Sequence, residues 1–166
     1  NEAAQQGAVL IISLLILLMM TVIGVTAMQT NFMEEKMAGN FRDVNLAFQA
    51  AEAALRDAED DISSTPPRFT GLTGFNSTCS NALCNASGGL SDVWNDATKG
   101  PNGAALGTYT STGSLALVSC QPVYWIEGFR TRPAGSASWK TWYRVTTRSC
   151  GGSDNSRVML QSVYAP

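Results

Sequence analysis

The chain contains no histidine. That removes the usual general base, the commonest metal ligand and every Ser–His or Cys–His pair. It also lacks a glycine-rich nucleotide fingerprint and any cluster of metal-ligating residues, so the sequence reads as a non-enzyme with no cofactor and no metal. Charge is missing from one long stretch, since nothing ionisable lies between Glu2 and Glu34. Proline and cysteine are missing from the first part of the chain. All six prolines, all four cysteines and 12 of the 15 glycines lie after residue 65, whereas five of the six methionines lie before it. This shift marks a boundary at residues 63–67, where Pro66 and Pro67 end any incoming helix.

The uncharged stretch is filled by residues 8–28, AVLIISLLILLMMTVIGVTAM, 21 residues without a charge or a proline. At about 1.5 Å per residue such a helix is roughly 30 Å long, the hydrocarbon thickness of a bilayer. Lipid leaves no water for open backbone groups, so a helix is the economical form. The rest of the chain is too small to wrap a helix that is apolar on every side. A secretory signal peptide is the rival reading. Val25-Thr26-Ala27 has the small-residue look of a cleavage site, but the apolar run exceeds the usual span of about 7–15 residues and no basic residue precedes it.

The helical signal continues to Ile62. No proline interrupts residues 29–62, and alanine and other helix formers are dense there. Phe41, Val44, Phe48, Ala51, Leu55, Ala58 and Ile62 recur at steps of three and four, an apolar stripe that predicts one buried face. Gly24 and the Ala38-Gly39-Asn40 step are the points where this helix would bend or fray. The net charge of -2 hides a split: residues 34–61 carry eight acids and three bases, residues 68–157 eight bases and four acids. Asp57, Asp60 and Asp61 at the helix end read as solvated charge.

The short leader ending in Gly7, the apolar segment directly after it and the long helix into a small C-terminal domain resemble a type IV prepilin. More narrowly, Met28-Gln29-Thr30, the run from Glu34 to Asn40, Arg42-Asp43 and the run from Leu46 to Arg56 resemble the N-terminal region of PilX-type minor pilins. The close, Val158-Met159-Leu160-Gln161-Ser162-Val163-Tyr164, is similar to how that family ends. The resemblance implies a prepilin peptidase cutting between Gly7 and Ala8 on the cytoplasmic face, and N-methylation of Ala8. It implies a filament core built from Val9, Leu10, Ile11, Ile12, Leu14, Leu15 and the residues through Met28. The expected partners are other minor pilins, major pilin, the inner-membrane assembly platform and a tip adhesin. The expected location is the bacterial inner membrane, with a periplasmic C-terminal domain, and then the cell-surface pilus. Most type IV pilins carry glutamate at the fifth mature position, where this chain has Ile12. Its loss is typical of PilX-type subunits and of the K-type pseudopilins of type II secretion. It implies a subunit that needs no partner above it in the filament, or one incorporated rarely.

The expected fold class is α+β and pilin-like. A leader at 1–7 and a membrane or filament-core helix at 8–28 precede an amphipathic continuation at 29–62. A loop-rich region follows at 63–114, then an antiparallel β-meander at 115–166 on which residues 47–62 of the helix pack. Four cysteines in an exported chain permit three disulfide pairings, of which Cys79–Cys84 with Cys120–Cys150 is favoured. Zinc is the alternative for the C-x4-C spacing, weakened by the missing histidine. The oxygen-rich loop 91–103, with Asp92, Asn95, Asp96 and Asn102, is a candidate for calcium, against the simpler reading of a solvated loop.

Strands are expected at 115–119, 123–130, 139–148 and 157–164. A hairpin centred on Gly135, in the turn 131–136, makes paired residue numbers sum to 270. That register sets Trp125 against Val145, Phe129 against Thr141 and Cys120 against Cys150. It leaves Glu127 beside Tyr143 on the apolar face, a misfit that demands an arginine or partial exposure. A slip of one residue would exchange the faces of one strand relative to the other. Arg130, Lys140, Trp142, Arg144 and Arg148 form a candidate patch for an anionic partner. The simpler reading is that they solubilise the outer sheet face. The functions to distinguish are therefore a minor pilin that supports pilus assembly, adhesion and twitching motility, a K-type pseudopilin, and a DNA-binding pilus subunit.

Overall fold

A computed structural model describes residues 2–86, 93–135 and 137–165, with residues 2–7 described through their backbone alone. Ser136 of the expected turn and Asp92 of the candidate calcium loop lie outside the described residues. The chain divides into two units, Asn1–Phe41 and Arg42–Pro166. The first unit is helix in its described residues: α1 runs Glu2–Ser63 and supplies all of them. Gly24 and Gly39 are passed without a break in the helical assignment.

The second unit contains the end of α1 and one mixed sheet. The strands are β1 (Leu83–Asn85), β2 (Ala104–Ala105), β3 (Val123–Thr131), β4 (Lys140–Cys150) and β5 (Arg157–Tyr164). They lie in the order β1-β3-β4-β5, and β2 also pairs with β3. The β3–β4–β5 meander is antiparallel, as the alternation predicts. Two corrections concern the rest. The region expected to be loops, 63–114, supplies β1 and β2, and β1 runs parallel to β3. Residues 115–119, expected as a strand, are irregular. The Gln121 amide holds both the N–H and the C=O of Leu115, at 3.0 and 2.7 Å, in place of a ladder.

The buried face of α1 also differs from the expected stripe. Phe41 is 72% exposed, and Val44 and Phe48 are about half exposed, at 49% and 46%. The buried residues are Ala47, Ala50, Ala51, Ala54, Asp57, Ala58, Asp61 and Ile62, also spaced at threes and fours. The reason lies in the surface they meet. At Ala58 and Ile62 the sheet face offers Tyr124, Ile126, Tyr143 and Val145, large groups that fill a core best against small ones, while Ala50 lies by residues 115–118. An alanine stripe lets the helix come close, and bulky side chains there would hold it off.

The β3–β4 register sums to 271, one residue from the expected 270. Trp125 therefore opposes Thr146, Ile126 opposes Val145 and Phe129 opposes Trp142. The hairpin loop 132–139 has an even number of residues, with Gly135 (φ 82°) off its centre. Charge explains the choice. At 270, Glu127 would enter the helix-side core beside Tyr143. At 271 it lies opposite Arg144 and bonds it at 2.8 Å, although fully buried. An uncompensated buried carboxylate costs several kcal/mol, about 3–5 when its partner is removed, enough to select between neighbouring registers. Trp125 consequently faces away from the helix. It is sealed by Cys79, Cys84, Val93 and the segment around Gly103, where an added Cβ would lie 2.7 Å from the indole ring.

Candidate functional site

In the first unit every large apolar side chain from Val9 to Val25 is uncovered, at 50–70% exposure. The sequence explains this surface: the residues are apolar on all sides of the helix, so no turn of it is reserved for solvent. Its few hydroxyls are internally satisfied. Ser13 donates to the carbonyl of Leu10 at 2.9 Å, Thr21 to that of Leu18 at 2.8 Å and Thr26 to that of Ile23 at 2.9 Å. The surface therefore carries neither a charge nor an unsatisfied hydroxyl from residue 8 to residue 28. α1 is long and apolar enough to cross a membrane. Of the expected processing and core residues, Gly7 and Ala8 lie within α1, and Val9, Leu10, Ile11, Ile12, Leu14 and Leu15 lie on its uncovered surface.

Of the expected basic patch, Lys140, Trp142, Arg144 and Arg148 share the sheet face away from the helix, and Arg130 does not join them. Arg130 opposes Thr141 and lies on the helix side of the sheet, near Gly71. Arg144 is spent on Glu127, and the Arg148 guanidinium sits 5.6 Å from the centre of the Trp125 ring. Trp142 is half-buried and Lys140 is exposed at the strand end. In the 91–103 loop, Asp96 and Asn102 are engaged in holding the backbone. Asp96 accepts the N–H groups of Thr98 and Lys99 at 2.8 and 3.1 Å, and these bonds, Thr98 first, lower its pKa below 3.8. Asn102 donates its amide to the carbonyls of Thr78 and Thr98. Among the described residues, no three His, Cys, Asp or Glu side chains converge as metal ligands. Both disulfides are present, Cys79–Cys84 and Cys120–Cys150, the second with its Cα atoms 5.4 Å apart.

Three aspartates fasten the second unit, among them Asp57 and Asp61, which are buried rather than solvated as their place at the helix end predicts. Asp61 is buried and takes a bidentate pair from Arg68, Nε at 2.7 Å and Nη2 at 2.5 Å, and a hydrogen bond from the Tyr124 hydroxyl at 3.1 Å. Burial first, then the Asp61 charge, push the Tyr124 phenol far above its ordinary value of 10. Arg68 also donates to the Asn81 carbonyl and lies 3.8 Å from the centre of the Tyr109 ring. Asp57, also buried, accepts the N–H of Gly107 at 2.9 Å and the Thr110 hydroxyl. Asp43 accepts from the N–H groups of Gly152 and Ser153 and from the Ser153 hydroxyl. The readable signal was position: Asp57 and Asp61 stand four residues apart, in line with the alanines.

Comparison with protein families agrees with these features. No curated protein and no solved structure matches the chain. Two family models do: PilX N-terminal over residues 6–56, and Type IV pilus assembly protein PilX C-term over residues 61–166. Between them they take in both the uncovered helix and the mixed sheet, and the chain belongs to the PilX family of type IV pilus assembly proteins.

Proposed function

We propose that the chain is a minor pilin, made as an inner-membrane precursor, cut between Gly7 and Ala8, methylated on Ala8 and drawn into a type IV pilus. The observation that carries this reading is the uncovered helix. It has no charge, its hydroxyls are turned inward, and it has an apolar side chain on every side from Val9 to Val25. Such a surface is stable in lipid and equally stable among like helices. Transfer from one to the other therefore exposes no polar group on the way. With Ile12 in place of a glutamate, association rests on apolar packing alone. The partners of this reading are other minor pilins, major pilin and a tip adhesin, and the roles are pilus assembly, adhesion and twitching motility. The DNA-capturing alternative is not favoured, because its five residues are split between two faces and two of them are engaged.

The test is processing. Gly7→Trp should leave the uncut precursor in the membrane fraction, since a bulky side chain blocks a narrow protease site. Protein recovered from sheared surface filaments should begin at methylated Ala8. Normal cleavage of the Gly7→Trp precursor overturns the reading, as does a filament protein that begins at Met28.

A further inference from the structure

Among the described residues β5 is the last strand of its sheet, with β4 on one side and no strand on the other. Its pairing with β4 runs without a bulge from Tyr143↔Tyr164 to Cys150↔Arg157. Beyond that ladder, no backbone hydrogen bond reaches residues 157–164 among the described residues. Edge strands are ordinarily shielded by charge, proline, a bulge or shortness. Here eight residues carry one charge, Arg157, at the first position. The outward face of the strand presents Met159 at 37% and Val163 at 56% exposure, with Gln161 between them. A row of N–H and C=O groups edged by apolar side chains is complementary to another strand.

We propose that β5 pairs with β5 of a second copy, antiparallel, about a two-fold axis through Gln161. Directly opposed residues of an antiparallel pair share a face, so only registers with an even sum continue the sheet. Centred on Gln161, Met159 of each copy meets Val163 of the other, Val158 meets Tyr164 and Leu160 meets Ser162. Each exposed apolar residue thereby covers another. The two Arg157 side chains fall at opposite ends, eight residues or roughly 27 Å apart, well beyond the screening length of about 8 Å at physiological salt. Centring the axis on Leu160 instead sets Arg157 against Val163 and Met159 against Gln161. Charge and apolar pattern thus select the same axis. A two-fold perpendicular to the sheet reverses strand direction, so the two sheets join into one continuous sheet with the β5 pair at its centre.

A ladder of seven residues a side is a small interface, suited to weak association and best read by trapping. The native cysteines are all in disulfides, so an introduced cysteine is the single free thiol. In the full chain, purified in mild detergent and treated with a mild oxidant, Gln161→Cys should form a covalent dimer. Its two Cα atoms lie about 4.5–5.5 Å apart at the axis, within disulfide reach. Val163→Cys should not, because its copies are about 13 Å apart. Adding Met159→Cys to Val163→Cys should restore the cross-link. Val163→Lys in the Gln161→Cys background should lower the dimer yield about fivefold by removing both apolar pairs, with circular dichroism unchanged at so exposed a position. Absence of dimer from Gln161→Cys overturns the proposal, as does equal cross-linking at 161 and 163. The trap reads strand pairing alone, so its failure is separate from that of Gly7 processing.

Discussion

At the scale of single residues, the second unit depends on carboxylates that reach across sequence. Asp61 is 1% exposed and receives two bonds from Arg68. Arg68→Ala leaves that carboxylate with the Tyr124 hydroxyl but without its countercharge. A loss of about 3–5 kcal/mol is expected, measured by denaturant unfolding of the full chain in detergent. Asp43 gives a pH signature. The Ser153 hydroxyl, then that of Ser156, hold its carboxyl below the ordinary 3.8. A group with a depressed folded pKa stabilises fully above its unfolded value and loses that contribution as pH falls through its folded value. Asp43→Asn should therefore melt below the parent at pH 7, with the gap closing once the pH drops beneath about 4. A constant gap down to pH 2 would assign the loss to shape rather than charge.

Glu127 shows what could be read in advance and what could not. Under the register centred on Gly135 it was the one residue out of place, and moving it beside an arginine requires the slip of one that the structure contains. The sign of the error was thus legible. Its cause, a loop of even length around an off-centre glycine, depends on turn geometry that composition does not encode.

At the scale of elements, two stripes compete for the inner side of α1, and both repeat at threes and fours. Periodicity finds that residues 41–62 form an amphipathic helix but does not rank a bulky stripe against an alanine one. The ranking is set by the sheet, whose Tyr124, Ile126, Tyr143 and Val145 fill the core against the small Ala58 and leave bulk from the helix only at Ile62. Ala58→Leu should accordingly cost about 1–3 kcal/mol through overpacking. Phe48→Ala, although it deletes far more apolar surface, should change the melting temperature of the isolated protein little. Comparing the two melts checks the assignment. The disulfides are also elements of unequal weight. On chain-entropy grounds Cys120–Cys150, with a sequence separation of 30, restricts the unfolded chain more than Cys79–Cys84, with a separation of 5. Replacing the longer bridge by serines should cost about 3–4 kcal/mol and the shorter about 2.

At the scale of the whole molecule, the division after Phe41 separates two solubilities. The second unit owns both disulfides, the sheet and a closed set of buried residues. A chain beginning at Arg42 should fold unaided, remain dissolved without detergent and keep the melting temperature of the full protein within a few degrees. Aggregation of that fragment under oxidising conditions would show that the missing helix contributes to its core. The uncovered helix was plain from the sequence because 21 uncharged residues admit few alternatives. The second unit was less so: β1 and β2 are three and two residues long and are created by their partner β3 rather than by their own pattern.

The outward placement of Val44 and Phe48 has a genetic reading. Under the proposed minor-pilin reading, one rod carries two sets of instructions, folding written in methyl groups on its inner side and sociability written in bulk on its outer side. Random mutagenesis of residues 44–62, scored once for protein abundance and once for filament yield, should therefore sort into two phenotypic classes that alternate around the circumference, with few substitutions belonging to both.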